Sequence, residues 1–289
     1  MKPLRTKLET ECKSKQVDLH VIEKDYALSY ILAGIAKQPE LANSLIFKGG
    51  TALKKIFFGD YRFSEDLDFS VINAPKEKLL EAALNDAIDI SKKLLNQYGA
   101  FDVQLKRYAE RAPHPHEQEA FVVMVKFPWH PTALCRIKAE ITHDEPVVLP
   151  PIYKPILHNY EEELDCVVAC YNIEEVIAEK LRALLQTHRN LVERGWNRPR
   201  ARDYYDLWSV LRNYSKHIDK QRVLETLQKK CQHRNVTWNN IDNFFTSELT
   251  QEANKHWQAT LGFFIKDLPE CNLVLDETRS LIEEMITKN

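Results

Sequence analysis

The chain has 289 residues, of which 40 are Lys or Arg and 42 are Asp or Glu, so its formal net charge is −2. This even balance excludes the strongly basic composition that identifies some nucleic-acid-binding proteins, and the length suffices for one large domain or two modest ones. The six cysteines include no CxxC pair, so the sequence does not indicate a zinc site.

The N-terminal residues are polar and contain no apolar signal region. No apolar run reaches the roughly 20 residues that a bilayer-spanning helix needs. The sequence therefore predicts a soluble, reduced, cytoplasmic protein that does not enter a membrane.

The first half of the chain is predicted to alternate between helices and strands. Apolar periodicity predicts helices over 18–37, 51–58 and 75–97. The predicted strands are 45–50 (with a turn), 64–72, 103–110, 121–127 and 135–142. A turn-rich loop before the last two strands contains His114-x-His116, for which no third metal ligand is evident, so an exposed loop is favoured over a metal site.

The second half is predicted to be almost wholly helical. The prolines from Pro146 to Pro155 indicate an extended connector. Helices are then predicted over 173–188, 200–213, 219–232, 238–262 and 273–287. The composite is an α+β fold. Its predicted parts are an N-terminal helical segment that packs on the core (1–45), a small mixed-sheet core (46–160) and a helical C-terminal domain (161–289).

Two aspartates and two glycines carry the strongest functional signal. Strand side chains alternate between faces, so Asp66 and Asp68 point the same way while Leu67 points into the core. Two carboxylates about 6–7 Å apart at Cα can share one or two hard cations. Gly49 and Gly50 stand beside a predicted helix start, where backbone N–H groups can approach a phosphate closely. Together these are the parts that hold a metal-bound nucleoside triphosphate.

Glu140 is a candidate third acid. Alternation over 135–142 places Arg136, Lys138 and Glu140 on one face of a strand that could lie next to the strand of Asp66. Three acids at one sheet edge suit two Mg²⁺ ions, which orient a triphosphate and lower the pKa of an attacking hydroxyl. A solvent-facing strand with alternating charges accounts for Glu140 equally well.

A lysine and two aspartates stand on the apolar sides of predicted helices. Lys180 falls near the middle of its helix's apolar arc, where an unpaired ammonium is costly. Asp203 and Asp206 both face inward on the next helix. One interpretation is a buried pair that ties the two helices together, and the other places Lys180 on the triphosphate with an aspartate orienting it. Both can hold, and Asp203 also fits a capping role near its helix start.

Further polar residues are candidates for phosphate contacts. Arg62 and Ser64 precede the acidic pair and can donate hydrogen bonds to phosphate. Lys48 precedes the glycines and, as a strand-edge lysine, is expected to be solvated. The basic stretch from Lys180 to Arg202 is either an ordinary solvated face or a phosphate-contacting surface. Its candidate RNA contacts are Arg182, Arg189, Arg198, Arg200 and Arg202.

Five segments form an ordered pattern between about residues 20 and 215: EKDY at 23–26, FKGGTAL at 47–53, RFSEDLDF at 62–69, AEKL at 178–181 and RDYYDL at 202–207. In this pattern the chain resembles the AbiEii/AbiGii-type nucleotidyltransferase toxins of bacterial toxin–antitoxin and phage-defence systems. These toxins belong to the DNA polymerase β-like nucleotidyltransferase superfamily.

The resemblance implies roles for the motifs. The glycine motif would be Gly49 and Gly50, the metal-binding pair Asp66 and Asp68, and the later catalytic residues Lys180 and Asp203. Asp206 is close enough to Asp203 to exchange roles with it. The superfamily often has Gly-Ser where this chain has Gly-Gly-Thr, which leaves hydroxyl contact with phosphate to Thr51 or Ser64.

Family members are similar in using an NTP and Mg²⁺, so the resemblance implies an NTP substrate, and the expected cofactor is Mg²⁺ or, as an alternative, Mn²⁺. Some add nucleotides to the 3′ end of tRNA, which prevents aminoacylation, and a separately encoded antitoxin restrains them. The sequence thus predicts a nucleotidyltransferase toxin that acts on an RNA acceptor, the tRNA 3′ end. Two alternatives stay open: transfer of a nucleotidyl or phosphoryl group to a protein, and a non-catalytic NTP- or RNA-binding module.

Overall fold

The computed structural model describes residues 3–108, 117–195 and 198–287. The predicted loop with His114 and His116 lies outside these residues. The chain divides into two compact units, Met1–Tyr171 and Asn172–Asn289. The predicted three-part division of the chain stays a prediction.

The first unit combines a sheet with helices. Its helices are α1 (Leu4–Lys15), α2 (Leu19–Lys37), α3 (Gly49–Ala52), which continues as a π-helix (Leu53–Phe57), and α4 (Glu77–Leu95). Its strands are β1 (Leu45–Lys48), β2 (Asp66–Val71), β3 (Asp102–Arg107), β4 (Gln118–Lys126), β5 (Cys135–Thr142), β6 (Ile152–Pro155) and β7 (Val167–Cys170). Every helix and strand predicted in the first half is present, with ends shifted by a few residues.

The strands form one mixed sheet in the order β3-β4-β5-β2-β1-β7-β6. The β2–β5 and β1–β7 pairs are parallel and the others are antiparallel. Helix α2 packs against α4, β5 and β7. Leu67, Phe69 and Ile137 are buried on one face of the sheet, and alternation therefore turns Asp66 and Asp68 to the opposite face.

Two strands at one end of the sheet were not predicted. β6 lies in the segment predicted to be an extended connector, and β7 lies within the range predicted to be the helical domain. Each has four residues, which is too short for an apolar period to identify a strand. The sheet pairing of β7 joins segments that are far apart in the sequence, since Phe47 of β1 stands opposite Cys170 of β7.

The second unit is helical. Its helices are α5 (Ile173–Arg194), α6 (Ala201–Tyr214), α7 (Lys220–Arg234), α8 (Ser247–Leu261) and α9 (Cys271–Thr287), with 3₁₀ turns at Ser215–His217 and Ile241–Phe244. The single helix predicted over 238–262 is wrong, because the Asn240 side chain caps a separate 3₁₀ turn before α8 begins. Within the described residues, no helix combines the length and the apolar character needed to cross a membrane.

Candidate active site

The acidic strand lies in the middle of the sheet. In the parallel β2–β5 pair, Asp68 stands opposite Glu140 and Asp66 stands opposite Lys138. On the other side of β2, Lys48 stands opposite Asp68. The predicted adjacency of the Asp66 strand and the Glu140 strand is therefore confirmed, and both carboxylates of β2 are partly exposed.

The glycine turn lies directly against this strand. Gly49 has φ +79°, and a Cβ atom added to it would lie 2.4 Å from Oδ2 of Asp68. A Cβ atom on Gly50 would lie 2.6 Å from Nη2 of Arg62 and 3.4 Å from Oγ of Ser64. Glycine at position 49 therefore permits this close approach, and the turn brings together five of the residues predicted to bind nucleotide or metal: Gly49, Gly50, Arg62, Ser64 and Asp68.

The Thr51 hydroxyl has a structural contact. This residue is buried, and its Oγ1 donates a hydrogen bond of 2.5 Å to the backbone oxygen of Asp66. Because a hydroxyl has one donor hydrogen, Thr51 in this arrangement cannot also donate to a phosphate. The geometry therefore favours the partly exposed Ser64 over Thr51 as the hydroxyl that contacts phosphate.

Two basic side chains beside the acids are buried. Lys48 is buried, with Nζ 5.7 Å from the ring centroid of Tyr171, so the expectation of a solvated strand-edge lysine is wrong. Arg62 is also buried, and its Nη1 donates to the backbone oxygen of Phe63 at 3.1 Å. Both cations lie next to the turn and strand where a triphosphate is predicted to bind.

Glu140 is held by neighbours on the sheet. Its carboxylate accepts a hydrogen bond of 3.1 Å from Gln118 and forms an ion pair with Lys138. Burial lowers the pKa of Lys138, but the hydrogen bond and charge of Glu140, together with the charge of Asp66, outweigh it and raise that pKa. Lys138 is thus an ammonium beside the acids to which the sequence analysis gave no role, although the strand alternation had placed it on this face.

The candidate metal ligands of β2 are two carboxylates, those of Asp66 and Asp68. Among the described residues, no three or more His, Cys, Asp or Glu side chains form a group that could hold a metal ion. Two carboxylates together with substrate phosphates are a usual ligand set for Mg²⁺. Asp66 and Asp68 fit that set, and a direct metal contact by Glu140 stays a prediction.

In the second unit, Lys180 bridges two aspartates. Its Nζ lies 2.7 Å from Oδ1 of Asp203 and 2.7 Å from Oδ2 of Asp206. Asp203 also contacts Arg200 at 3.3 Å. Burial alone would raise the pKa of Asp203, but the positive charges of Lys180 and Arg200 outweigh it and hold that pKa well below its ordinary value. The predicted buried pair between helices α5 and α6 is present, and a role in catalysis stays a prediction.

The basic stretch is not a simple row of solvated charges. Arg182 is buried and its guanidinium donates a hydrogen bond to Gln186, and its role as an RNA contact stays a prediction. Arg189 donates to the backbone oxygens of Arg234 and Asn235 at the end of α7.

The later arginines of the stretch differ in exposure. Arg200 donates to Thr187 at 2.8 Å, and Arg202 donates to the backbone oxygen of Thr260 at 3.3 Å. Arg198 is exposed. Helical periodicity could not identify these internal contacts, because it does not show which neighbouring helix a polar side chain meets. Of the five predicted RNA contacts, Arg198 alone is classed as exposed.

Comparisons with known proteins agree with the family and the fold class that the sequence predicts. Residues 30–282 match the family model described as nucleotidyl transferase AbiEii toxin, type IV TA system. A comparison with curated proteins found no match. Among solved structures the chain is similar to MenT4, a nucleotidyltransferase toxin from Mycobacterium tuberculosis H37Rv, with a TM-score of 0.65 and 18% identity over 100% of this chain and 91% of that chain. At this identity the likeness concerns the fold alone, and it confirms the predicted α+β class.

Proposed function

We propose that this chain, which belongs to the AbiEii family of nucleotidyltransferase toxins of type IV toxin–antitoxin systems, transfers a nucleotide from an NTP to the 3′ end of an RNA acceptor, tRNA, with Mg²⁺ as cofactor. The resemblance predicted from the sequence motifs is confirmed by the family match. The observation that supports the proposal best is that the Asp68 carboxylate occupies the space next to Gly49 that a side chain there would fill.

Asp66 and Asp68 would hold the metal. Their oxygens are hard donors on one face of β2, and the triphosphate oxygens would complete the ligand set. When bound, Mg²⁺ neutralises triphosphate charge and lowers the pKa of an attacking hydroxyl, and Mn²⁺ takes the same oxygen ligands. The proposal gives Glu140 a supporting role, because its ion pair with Lys138 sets the charge beside Asp66.

The remaining residues would position the reactants. Backbone N–H groups of Gly49 and Gly50, with Arg62 and Ser64, would bind the phosphates. The 3′ hydroxyl oxygen of the acceptor would attack the α-phosphorus as its proton passes to solvent, and the bond from that phosphorus to the bridging oxygen would break to release pyrophosphate. Catalysis then comes from positioning and electrostatics, without a covalent enzyme intermediate.

The roles proposed for residues of the second unit rest on the family resemblance. Lys180 would neutralise charge as pyrophosphate leaves, and Asp203 or Asp206 would orient Lys180 or the acceptor. Arg198 is the exposed member of the basic stretch and is the best candidate for an RNA contact. Membership of a toxin–antitoxin family implies an antitoxin partner, whose chemistry the proposal does not specify.

The test is incorporation of labelled nucleotide. Purified protein is mixed with total RNA, Mg²⁺ and each labelled NTP in turn, and parallel reactions contain EDTA or Mn²⁺. We expect label in small RNA with one or more of the NTPs, and its loss with EDTA or in Asp68→Ala. Asp60→Ala is the matched control, because Asp60 lies in the connection that leads into β2 and its side chain is 93% exposed.

The other outcomes either contradict the proposed mechanism or identify a different function. Label that persists in Asp68→Ala removes the proposed mechanism. Label that resists ribonuclease and migrates with protein identifies a protein acceptor. Growth arrest that persists in cells expressing Asp68→Ala favours the non-catalytic NTP- or RNA-binding module.

A further inference from the structure

Three consecutive charged residues of α2 reach three different segments of the sheet unit. Successive residues of an α-helix point about 100° apart, so Glu23, Lys24 and Asp25 project in different directions. The helix is buried along most of its length, and each of the three side chains meets protein. Apolar periodicity explains none of these three positions.

The outer two residues of this triplet anchor buried contacts. Glu23 accepts hydrogen bonds from Trp129 at 2.7 Å and His130 at 2.9 Å, in the connection that leads into β5. Asp25 pairs with Lys55 at 2.7 Å, and both side chains are buried. Lys55 lies in the π-helix that continues from the glycine turn, so Asp25 ties α2 to the element beginning at Gly49.

The middle residue reaches the acidic strand. Nζ of Lys24 lies 2.7 Å from Oε1 of Glu65, the residue immediately before Asp66. Residues 58–65 form neither helix nor strand, so no regular ladder of backbone hydrogen bonds fixes Glu65. The two side chains are 19% and 31% exposed, which leaves them accessible to substitution without opening the core.

We propose that Lys24 is a positioning residue for nucleotidyl transfer: through Glu65 it fixes the start of β2, and thereby holds Asp66 and Asp68 against the glycine turn. The proposal rests on the proposed function, because it assigns Lys24 to the acidic pair of that same site. Lys24 touches neither the acids nor the proposed phosphate contacts, and acts on them through one neighbouring residue. Groups that orient metal-binding carboxylates typically change activity or metal affinity by about 10- to 100-fold when removed.

The test compares two lysines that reach the same connection. Lys24→Met removes the positive charge of the ion pair, and Glu65→Gln removes its negative charge. Lys24→Arg retains the positive charge. Lys15→Met is the matched control, because Lys15 pairs with Asp60 at 2.9 Å, six residues before Asp66. We expect about a 10- to 100-fold lower kcat in Lys24→Met and Glu65→Gln. The KM for NTP, by contrast, should stay within about threefold, because the phosphate contacts are intact.

The conservative variant and the control complete the kinetic test. Lys24→Arg should keep kcat within about threefold of the wild-type value, because the arginine can form the same ion pair with Glu65. The kcat of Lys15→Met should remain within about twofold of the wild-type value. A loss of equal size in Lys15→Met, no rescue in Lys24→Arg, or a wild-type kcat in Lys24→Met would each overturn the proposal.

A second readout does not depend on activity. Hydrogen exchange of a peptide covering residues 59–66 should be faster in Lys24→Met than in the wild type, and unchanged at β1. Unchanged exchange in 59–66 would overturn the positioning role. If the wild type transfers no nucleotide, the proposed function fails, but the exchange measurement still decides whether Lys24 orders this segment.

Discussion

At the scale of single residues, the lack of space for a side chain between Gly49 and Asp68 is the most restrictive feature of the candidate site. A methyl group at Gly49 would overlap the carboxylate that is proposed to bind metal. The positive φ adds a separate penalty, since a side chain in the left-handed region costs about 1–2 kcal/mol. Space and backbone conformation therefore both require glycine at this position.

Gly49→Ala should reduce nucleotide transfer by more than its loss of folding stability explains. Gly195→Ala is a matched control, because Gly195 has φ +74° but, among the described residues that are not adjacent to it in the chain, no side chain comes within 4 Å of an added Cβ. Gly195→Ala should lose about 1–2 kcal/mol of unfolding free energy in urea, and Gly49→Ala should lose more, because its methyl group also overlaps the Asp68 carboxylate. Only Gly49→Ala should also lose transfer, by at least about tenfold, because a misplaced carboxylate disrupts near-attack geometry. Equal transfer in the two variants would contradict this role for the glycine turn.

The charge of Asp203 gives a pH-dependent prediction. Its pKa is lower in the folded chain than the ordinary value of 3.8, so below about pH 4 the unfolded state binds more protons. The stabilisation is therefore present above pH 4 and lost as the pH falls.

Asp203→Asn measures this stabilisation directly. At pH 7 it should cost about 2 kcal/mol of unfolding free energy, the size of a hydrogen bond to a charged group. The difference from the wild type should shrink between pH 5 and pH 3 in urea unfolding. A difference that is constant with pH would show that the ion pair with Lys180 does not contribute through charge.

At the scale of elements, the ion pair between Asp25 and Lys55 joins α2 to the π-helix that follows the glycine turn. π-Helical segments are rare and often occur at functional sites. Burial lowers the pKa of Lys55 to about 8 although Asp25 raises it. The ammonium therefore depends on its partner, and removal of Asp25 leaves an uncompensated buried charge.

Asp25→Ala should lower the unfolding free energy by about 3–5 kcal/mol, as expected for breaking a buried pair. Asp60→Ala breaks the exposed pair with Lys15, so it should cost no more than about 1 kcal/mol. Adding Lys55→Met to Asp25→Ala should recover part of the loss, because no unpaired charge remains. Urea unfolding at pH 7 measures all three, and similar losses for Asp25→Ala and Asp60→Ala would contradict the argument.

The elements that the sequence predicts well are those with a long internal pattern. β5 begins and ends as predicted at Cys135 and Thr142, because alternation persists over eight residues. α2 is predicted within one residue. The four-residue strands β6 and β7 carry too little pattern, and the contacts of Lys24 and Asp25 follow from which segments fold around α2. Strand alternation thus placed Asp66, Asp68 and Glu140, while the residues that support them required coordinates.

At the scale of the whole molecule, the family match covers both compact units. The first unit holds the acidic pair and glycine turn, and the second holds Lys180 and its aspartates. Sequence patterns are local, so they could identify each set of residues but could not show that both act in one reaction. That question is decided by comparing two lysines of the second unit.

Lys180 and Lys230 form a matched pair for this comparison. Both are buried, and each bridges two carboxylates: Lys180 contacts Asp203 and Asp206 at 2.7 Å, and Lys230 contacts Glu175 and Glu179 at 3.1 Å. Replacing either with Met leaves two acids without their ammonium, so each variant should lose about 3–5 kcal/mol of unfolding free energy.

Lys180→Met and Lys230→Met should differ in transfer. Measured per folded molecule, below both unfolding temperatures, Lys180→Met should lose transfer by at least about 100-fold, because the resemblance places its charge on the departing pyrophosphate. Lys230→Met should stay within about threefold, since its charge is confined between α5 and α7. If both variants lose transfer equally, the second unit contributes through its fold; if neither does, the catalytic residues lie in the first unit alone.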